Sequence, residues 1–140
     1  MKVDISLSTG ALAQRLAQIE RELPAQLDNA LYATAQLGEN LILDRTQRGI
    51  GIMGTFSPYS VGYALFRQKK GRGINVDLNF TGSMLGSMVA DKNRGYAEIK
   101  FSRASESRKA YFNNQKRPFF GFNANEKRRL VEFMKKRLFA

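Results

Sequence analysis

The spacing of apolar residues divides the chain into a helical beginning, an irregular middle, a β-rich region and a helical end. Val3, Ile5 and Leu7 alternate with polar residues, which predicts a short strand. Beyond it, apolar residues recur three or four positions apart and so share one helix face: Leu12, Leu16, Ile19, Leu23, Leu27, Leu31, Ala35, Leu41 and Ile42. We predict one long kinked helix or two stacked helices over residues 9–48, with a kink or a new first turn at Pro24, because proline disrupts helix interiors.

The β-rich region begins with the clearest strand pattern in the chain. Residues 74–80 alternate strictly between apolar and polar side chains, as a half-buried strand does. Residues 95–102 alternate in the same way, after a turn-forming sequence. A third strand is predicted over residues 85–90, after a short turn. The three strands together predict an antiparallel β-meander over residues 74–102.

A long glycine-rich segment separates the first helical region from these strands. Residues 49–73 are weakly periodic, which predicts a loop with about a turn of helix near Tyr63. Connections between elements usually have about five residues, and much longer loops are commonly functional or become ordered on assembly. The length of this segment therefore marks it as a candidate contact region.

The end of the chain predicts an amphipathic helix over residues 124–138. Asn123 followed three positions later by Glu126 is a capping-box pattern. Apolar residues from Leu130 to Leu138 mark one face, and basic residues occupy much of the other. Residues 103–116 fit either helix or irregular structure. The whole pattern predicts a single α+β domain over residues 1–140, in which long N-terminal helices and a C-terminal helix pack on a small antiparallel sheet of three or four strands.

The charge of the chain is high and unevenly distributed. The net charge is +11. Residues 1–44 carry three basic and six acidic side chains (net −3), whereas residues 45–140 carry twenty basic and six acidic ones (net +14). This indicates an acidic protein partner or a nucleic acid, and opposite potentials could register head-to-tail contacts between copies. The alternative is a solvated basic face without a specific role.

Several kinds of catalytic and metal chemistry are excluded or unsupported. The chain has neither histidine nor cysteine, so the common zinc, haem and iron–sulfur ligand sets and the His-dependent nucleophile arrangements are excluded. Its carboxylates are scattered, which argues against a hard-cation site and against a small nuclease or toxin. No apolar run approaches a membrane span, and we read no secretory signal. We therefore predict a non-enzymatic protein with no catalytic residues, metal or cofactor.

One short motif resembles a nucleotide-binding fingerprint. Gly49-x-Gly51-x-x-Gly54 has the spacing of the dinucleotide motif, with Asp77 further along the chain. That motif needs a strand before it and a helix directly after it, so that the helix N-terminus meets the pyrophosphate. Here a predicted helix precedes it and a loop follows. We interpret the glycines as part of a flexible loop.

An ordered series of motifs resembles a known family. It consists of Pro58-Tyr59-Ser60, Tyr63 and Lys69-Lys70, then Leu78, Thr81-Gly82, Met84 and Ser87, then Arg117-Pro118-Phe119-Phe120-Gly121. In order and spacing it is similar to the tail-completion, or virion morphogenesis, proteins of tailed bacteriophages over roughly residues 35–138. The segment from Tyr111 to Asn114 departs from the pattern, because many relatives have a histidine and a glycine there.

The resemblance implies a structural role at the head–tail junction of a virion. Such proteins sit at the neck or the upper tail end, often as rings, and join connector or head-completion proteins to tail-tube or tail-terminator proteins. It therefore implies self-association as a homo-oligomeric ring and a location in the virion, reached from the host cytoplasm during assembly. The genome passes through this region, so non-specific contact with DNA is also expected, and no membrane is involved.

Two segments, residues 49–72 and 116–122, are the predicted contact surfaces. Aromatic residues beside arginines are typical of protein interfaces, and the candidates are Phe56, Tyr59, Tyr63, Arg67, Lys69, Lys70, Arg72, Arg117, Phe119, Phe120 and Phe122. For Phe119 and Phe120 two interpretations stay open, namely anchoring of the last helix in the core and contact with a neighbouring subunit.

The alternative function is non-sequence-specific binding of nucleic acid. Basic residues interleaved with aromatic ones can contact phosphates and stack on bases. Candidates are Arg67, Lys69, Lys70, Arg72, Lys116, Arg117, Lys127, Arg128 and Arg129.

Overall fold

The helices and strands form an α+β arrangement, as predicted. The structure, a computed structural model, describes residues 2–5, 14, 17, 21, 24–79 and 81–139. The strands are β1 (Lys2–Ile5), β2 (Ile50–Gly51), β3 (Gly54–Thr55), β4 (Met88–Asn93) and β5 (Tyr96–Phe101). The helices are α1 (Pro24–Gln47), α2 (Val61–Lys69), α3 (Ser83–Gly86), α4 (Ala104–Lys116) and α5 (Ala124–Phe139). Most of the helix predicted before Pro24 lies outside the described residues.

The main sheet has three antiparallel strands in the order β1-β5-β4. β4 and β5 form a hairpin in which Ala90 pairs with Ile99, and Val3 of β1 pairs with Ile99 from the other side. The predicted strands at residues 85–90 and 95–102 thus exist with shifted ends. The predicted meander is wrong in one member, because residues 74–79 form no strand beside β4 and the third strand of the sheet is β1, which pairs with β5.

Residues 74–79 form no strand, although Val76 and Leu78 are buried as their alternation predicted. The backbone N–H groups here bond to side chains instead of a strand partner: Leu78 N–H donates to Tyr59 Oη (3.2 Å) and Asn79 N–H donates to Asp77 Oδ1 (3.0 Å). Leu78 also has a positive φ of 54°, which a strand does not accommodate. Phe80 lies outside the described residues.

Helix α1 packs its apolar face against the sheet and against α5. Leu27, Leu31, Ala35 and Ile42 are buried in the core as predicted, whereas the predicted face member Leu41 is only partly buried. A face of this spacing is typical of a helix whose stability comes from tertiary packing.

Polar side chains of α1 also bind the backbone of the β4–β5 hairpin. Glu39 Oε2 accepts a hydrogen bond from Ala90 N–H of the edge strand β4 (3.0 Å), and Asp28 Oδ1 accepts one from Gly95 N–H in the turn (2.9 Å). Edge strands expose unpaired backbone groups that can pair with other chains. Glu39 therefore satisfies one donor of an edge that would otherwise be open.

The glycines of the fingerprint-like motif have structural roles, and the interpretation as a flexible loop is wrong. Gly49 follows the end of α1 with a positive φ of 81°, the usual conformation of a residue that ends a helix. Gly51 lies in the β2–β3 hairpin, where a Cβ would stand 2.3 Å from Pro118 O and 2.4 Å from the Phe56 ring. Gly54, in β3, has a φ of 113°. A hairpin, not a phosphate-binding helix, follows the first glycine.

The central segment contains more regular structure than was predicted. Within residues 49–73 lie the β2–β3 hairpin and the nine-residue helix α2, where only a turn of helix was expected. Ser60 caps α2, because its Oγ accepts a hydrogen bond from Tyr63 N–H (3.3 Å). The short length of α2 and its few core contacts explain why its periodicity was weak.

The C-terminal helix begins with the predicted capping box. Asn123 N–H donates to Glu126 Oε1 (3.0 Å), and Glu126 N–H donates to Asn123 Oδ1 (2.8 Å). Leu130 and Met134 of α5 are buried, and Met134 Sδ accepts a hydrogen bond from Thr34 Oγ1 of α1 (3.3 Å). The ambiguous residues 103–116 are mostly helical, as α4.

The close approach at Gly51 predicts a large cost for a single added methyl group. Gly51→Ala should destabilise the fold by about 1–3 kcal/mol or more, because the new Cβ meets a backbone oxygen that cannot rotate away. Gly62→Ala is the matched control, since nothing lies within 4 Å of its Cβ position and it is in a helix. In urea denaturation, the free energy of unfolding of Gly62→Ala should equal or slightly exceed that of the natural protein. Equal effects of the two substitutions would contradict the packing around Gly51.

The partly buried position of Glu39 predicts a pH-dependent stability. Burial raises the pKa of Glu39 above its ordinary value of 4.5, and the hydrogen bond from Ala90 opposes this only in part. The folded state therefore holds this proton more tightly than the unfolded chain, so stability falls as the pH rises from 4.5 through the folded pKa. Glu39→Gln keeps an acceptor for Ala90 and removes the charge, so its stability advantage over the natural protein should grow between pH 4 and pH 7 in chemical denaturation. A difference independent of pH would count against this account.

Candidate functional site

Three buried arginines organise the region where the motif-bearing segments meet. Arg45, Arg67 and Arg117 have almost no exposed surface, and each donates hydrogen bonds to backbone carbonyls of segments outside the main sheet. A guanidinium has five donors in a rigid plane, so one side chain can satisfy several carbonyls at once. Each arginine thus substitutes for the partner that a neighbouring strand would provide.

Arg45 joins α1 to the beginning of α5. Its Nε donates to Glu126 Oε2 (2.8 Å), its Nη1 donates to Phe119 O (2.9 Å), and its Nη2 donates to Gly121 O. Glu126 is also the capping-box residue of α5. The same carboxylate therefore caps the helix with one oxygen and neutralises Arg45 with the other.

Arg117 and Asn114 hold the Arg-Pro-Phe-Phe segment from the other side. Arg117 Nε donates to Ser57 O (2.8 Å) and its Nη2 to Pro58 O (2.8 Å). Asn114 Oδ1 accepts hydrogen bonds from both Phe119 N–H (3.0 Å) and Phe120 N–H (2.9 Å). The segment is therefore fixed by side chains, and its aromatic residues point into the core.

Phe119 and Phe120 are core residues. Phe119 is 0% exposed, and the Phe120 ring lies 5.0 Å from the Phe101 ring of β5. Of the two interpretations, the geometry supports anchoring of the last helix. Phe119 has no exposed surface, and Phe56 and Phe120 have little, so the assignment of these three rings to a contact surface is corrected. Arg67 and Arg117 are also buried, and both line the cavity described below.

Arg67 lies among two tyrosines and the irregular segment that follows α2. It is 1% exposed. Its Nε donates to Gly73 O (2.7 Å), and its Nη2 donates to Asp77 Oδ1 and to Asn79 O (3.2 Å each). Its guanidinium carbon stands 4.9 Å from the centre of the Tyr59 ring. These contacts fix residues 73–79 against α2.

Tyr59 receives two guanidinium groups. Arg117 also stands 4.9 Å from the ring centre, and Leu78 N–H donates to the phenol oxygen. Burial raises the pKa of Tyr59, and the Leu78 hydrogen bond and the charge of Arg67 offset this only in part. The phenol therefore stays neutral at physiological pH, and its negative ring face attracts the two cations.

A cavity of about 380 Å³ opens beside this cluster. Its walls come from the beginning of α2, from residues 78–84 and from α4. Each of the three motif blocks that were singled out in the sequence contributes to it: the first through Tyr59 and Tyr63, the second through Thr81 and Met84, and the third through Arg117. Segments distant in sequence thus meet at one site.

The cavity is cationic and contains two unsatisfied polar atoms. Arg67, Lys109, Lys116 and Arg117 line it, with Glu106 as the acidic lining residue. Glu106 is buried, and its Oε1 accepts a hydrogen bond from Lys109 Nζ (3.1 Å). Arg67 Nη1 and Glu106 Oε2 have no hydrogen-bond partner among the described residues. Buried polar atoms are nearly always paired, so these two mark the cavity as unusual.

The remaining predicted site residues are more exposed, and of these Tyr59 and Tyr63 also line the cavity. Tyr63, Lys69, Lys70 and Arg72 are exposed, while Tyr59 and Phe122 are partly buried. Helix α2 also exposes three apolar side chains that were not predicted: Val61 (79%), Leu65 (53%) and Phe66 (45%). We call these three residues, with Lys69, Lys70 and Arg72, the α2 surface.

Sequence reasoning missed the residues that hold the cavity together. Arg45 has a detectable signal, since it lies three positions after Ile42 on the apolar face of α1. Asn113 lines the cavity and Asn114 bonds the Phe-Phe backbone. Both belong to the segment that departs from the family pattern, which was itself a signal. Glu106 had no signal in the sequence, because its neighbours along the chain are polar.

Metal and membrane sites were also sought. Among the described residues no group of three or more acidic, histidine or cysteine side chains could hold a metal ion. Within the same part of the chain no helix is both long and apolar enough to cross a bilayer.

Comparison with known proteins gave no match. No family model, curated protein or solved structure matches the chain.

The contacts of Arg45 predict that it stabilises the fold more than any exposed arginine nearby. Arg45→Met should cost about 3–5 kcal/mol, because Glu126 and two carbonyls lose their partner inside the protein. Arg48→Met is the matched control one helical turn on; the side chain of Arg48 is 63% exposed, and its pair with Asp44 is worth about 0–1 kcal/mol. Chemical denaturation of both variants measures the difference, and similar losses would refute the role assigned to Arg45.

Proposed function

We propose that this protein is a structural component of the neck or tail end of a tailed-phage particle. It acts by oligomeric ring assembly and by docking to connector or head-completion proteins and to tail-tube or tail-terminator proteins. It works without a cofactor and catalyses no reaction. Its location is the virion, after assembly in the host cytoplasm.

The observation that carries this proposal is the convergence of the motif blocks. The residues that resemble tail-completion proteins lie in three segments up to about 60 positions apart, and all three reach the same cavity. Their meeting supports the interpretation of the ordered series as one functional unit.

The α2 surface supports docking to another protein. Val61 and Leu65 are one helical turn apart and point outward, with Phe66 beside them. The Lys70 ammonium stands 5.9 Å from the centre of the Phe66 ring. Apolar side chains bordered by cations are typical of interfaces with acidic partners. The acidic balance of residues 1–44 provides such a partner in the next copy of a ring, and acidic neighbours in the particle provide another.

The proposal predicts a partner-dependent change in solution mass. Light scattering of the purified protein, alone and with its connector and tail-tube partners, should show a discrete ring-sized complex. Lys69→Glu with Lys70→Glu should weaken that complex at least about fivefold, and more at low salt, where charges are less screened. Lys135→Glu with Lys136→Glu is the matched control, since it reverses two adjacent exposed lysines of α5. If the protein forms a complex with none of these partners, the proposal is wrong.

A second candidate, non-sequence-specific nucleic-acid binding, is favoured by the outer face of α5. Six basic residues of this helix are exposed, and Glu132 lies among them and pairs with Lys135 (3.5 Å): Lys127, Arg128, Arg129, Lys135, Lys136 and Arg137. Such a set of basic residues binds phosphate backbones with a steep salt dependence. The same variants separate the two functions. If the protein ignores phage partners but shifts duplex DNA, and the α5 reversal abolishes the shift, this second function replaces the first.

A further inference from the structure

We propose that the cavity between α2 and α4 binds a short acidic peptide segment of a partner protein. A carboxylate of the peptide is bound by Arg67 Nη1 with Lys109 and Lys116, and a peptide N–H donates to Glu106 Oε2. The inference deepens the proposed function and rests on it for the source of the peptide. Its physical basis is the cavity itself.

The first argument is shape and size. A volume of about 380 Å³ falls within the range of roughly 300–1,000 Å³ that is typical of ligand sites. The walls are fixed by hydrogen bonds that do not involve a ligand, including those of Arg67 to Gly73 and of Arg117 to Ser57. The site is therefore formed before any ligand arrives, which lowers the cost of binding.

The second argument is charge. Four cations and one carboxylate line the cavity. Arg67 is paired with Asp77 and Lys109 with Glu106, so Lys116 and Arg117 give the cavity its net positive charge, which favours an anionic ligand. Asp77 pairs with Arg67 through Nη2, and Nη1 remains a donor without a hydrogen-bond partner among the described residues. Burial strengthens the attraction of such a donor for an anion, because water screens it little.

The third argument identifies the class of anion. The cavity presents an unsatisfied donor, Arg67 Nη1, and an unsatisfied acceptor, Glu106 Oε2. A phosphodiester has acceptors only and would be repelled by Glu106. An acidic peptide has both a carboxylate for the arginine and backbone N–H groups for the glutamate. It is therefore the ligand class that satisfies both atoms, and nucleic acid is not.

The experiment is a nuclear magnetic resonance titration of the full chain with three probes. They are acetyl-Gly-Asp-Glu-Gly-amide, its uncharged analogue acetyl-Gly-Asn-Gln-Gly-amide, and the dinucleotide thymidylyl-thymidine. The acidic peptide should bind at a single site and shift the backbone amides of Gly82, Lys109 and Asn113 in the cavity wall. The uncharged peptide should bind at least about tenfold more weakly, because charge-assisted hydrogen bonds are the stronger ones. Absence of binding, or tighter binding of the dinucleotide at these residues, would overturn the proposal.

Variants of the cavity test each contact. Lys109→Gln with Lys116→Gln should weaken the acidic peptide about three- to tenfold, since both lysines are exposed at the rim and partly screened. Lys127→Gln with Lys136→Gln removes the same charge from α5 and should leave the peptide affinity unchanged apart from a small general effect. If the two double variants weaken peptide binding equally, the effect comes from the net charge of the protein, and a site in the cavity is refuted.

Glu106→Leu separates a peptide site from a simple anion site. Loss of the negative charge should strengthen the binding of inorganic phosphate, whereas loss of the acceptor should weaken the acidic peptide. If the peptide also binds the variant more tightly, Glu106 does not accept its N–H and the proposal is wrong. These probes are measured on the isolated protein. Their failure therefore leaves ring assembly to be judged by light scattering, and a failed assembly leaves the peptide site intact.

Discussion

The hydrogen bonds of three buried arginines to backbone carbonyls are the interactions on which the rest of this structure depends. The main sheet has only three strands, so long stretches between residues 49 and 123 cross the interior without strand partners. A buried carbonyl without a partner costs about 1–3 kcal/mol. Arg45, Arg67 and Arg117 provide partners for the carbonyls of Phe119 and Gly121, of Gly73 and Asn79, and of Ser57 and Pro58, and Phe119 is fully buried.

The same arrangement sets where the protein can interact. Because Arg67 and Arg117 hold their segments from the inside, α2 is fixed at the edge of the fold with Val61, Leu65 and Phe66 turned outward. The cavity lies beside these arginines, so the same hydrogen bonds hold its walls in place. A protein that docks through a short helix and a preformed cavity needs this rigidity, since ordering a flexible loop would reduce the affinity.

The sequence predicted the elements whose pattern has one structural meaning. The apolar face of α1, the β4–β5 hairpin and the capping box at Asn123 were all predicted, because periodicity and capping chemistry act locally. The strand at residues 74–80 failed because alternating burial does not require a strand partner. There the phenol of Tyr59 and the carboxylate of Asp77 take the backbone donors, and neither contact is visible in a linear pattern. The same limit applies to the site, since a buried arginine and a surface arginine look identical in sequence.

Whether an arginine is buried or exposed decides how much it contributes to the electrostatic field outside the protein. Arg45 and Arg67 are paired with Glu126 and Asp77 inside the fold, so they add little to the field outside. Arg117 is held by carbonyls and by the face of Tyr59, neither of which cancels its charge. It lines the cavity and adds positive charge there. Exposed basic residues lie at the cavity, at the end of α2 and along α5, and in the described part of the chain the cavity combines such residues with the unsatisfied acceptor of Glu106. In the proposed site, charge favours an anion in general, and the hydrogen-bond donor and acceptor of the cavity favour a peptide over a phosphodiester.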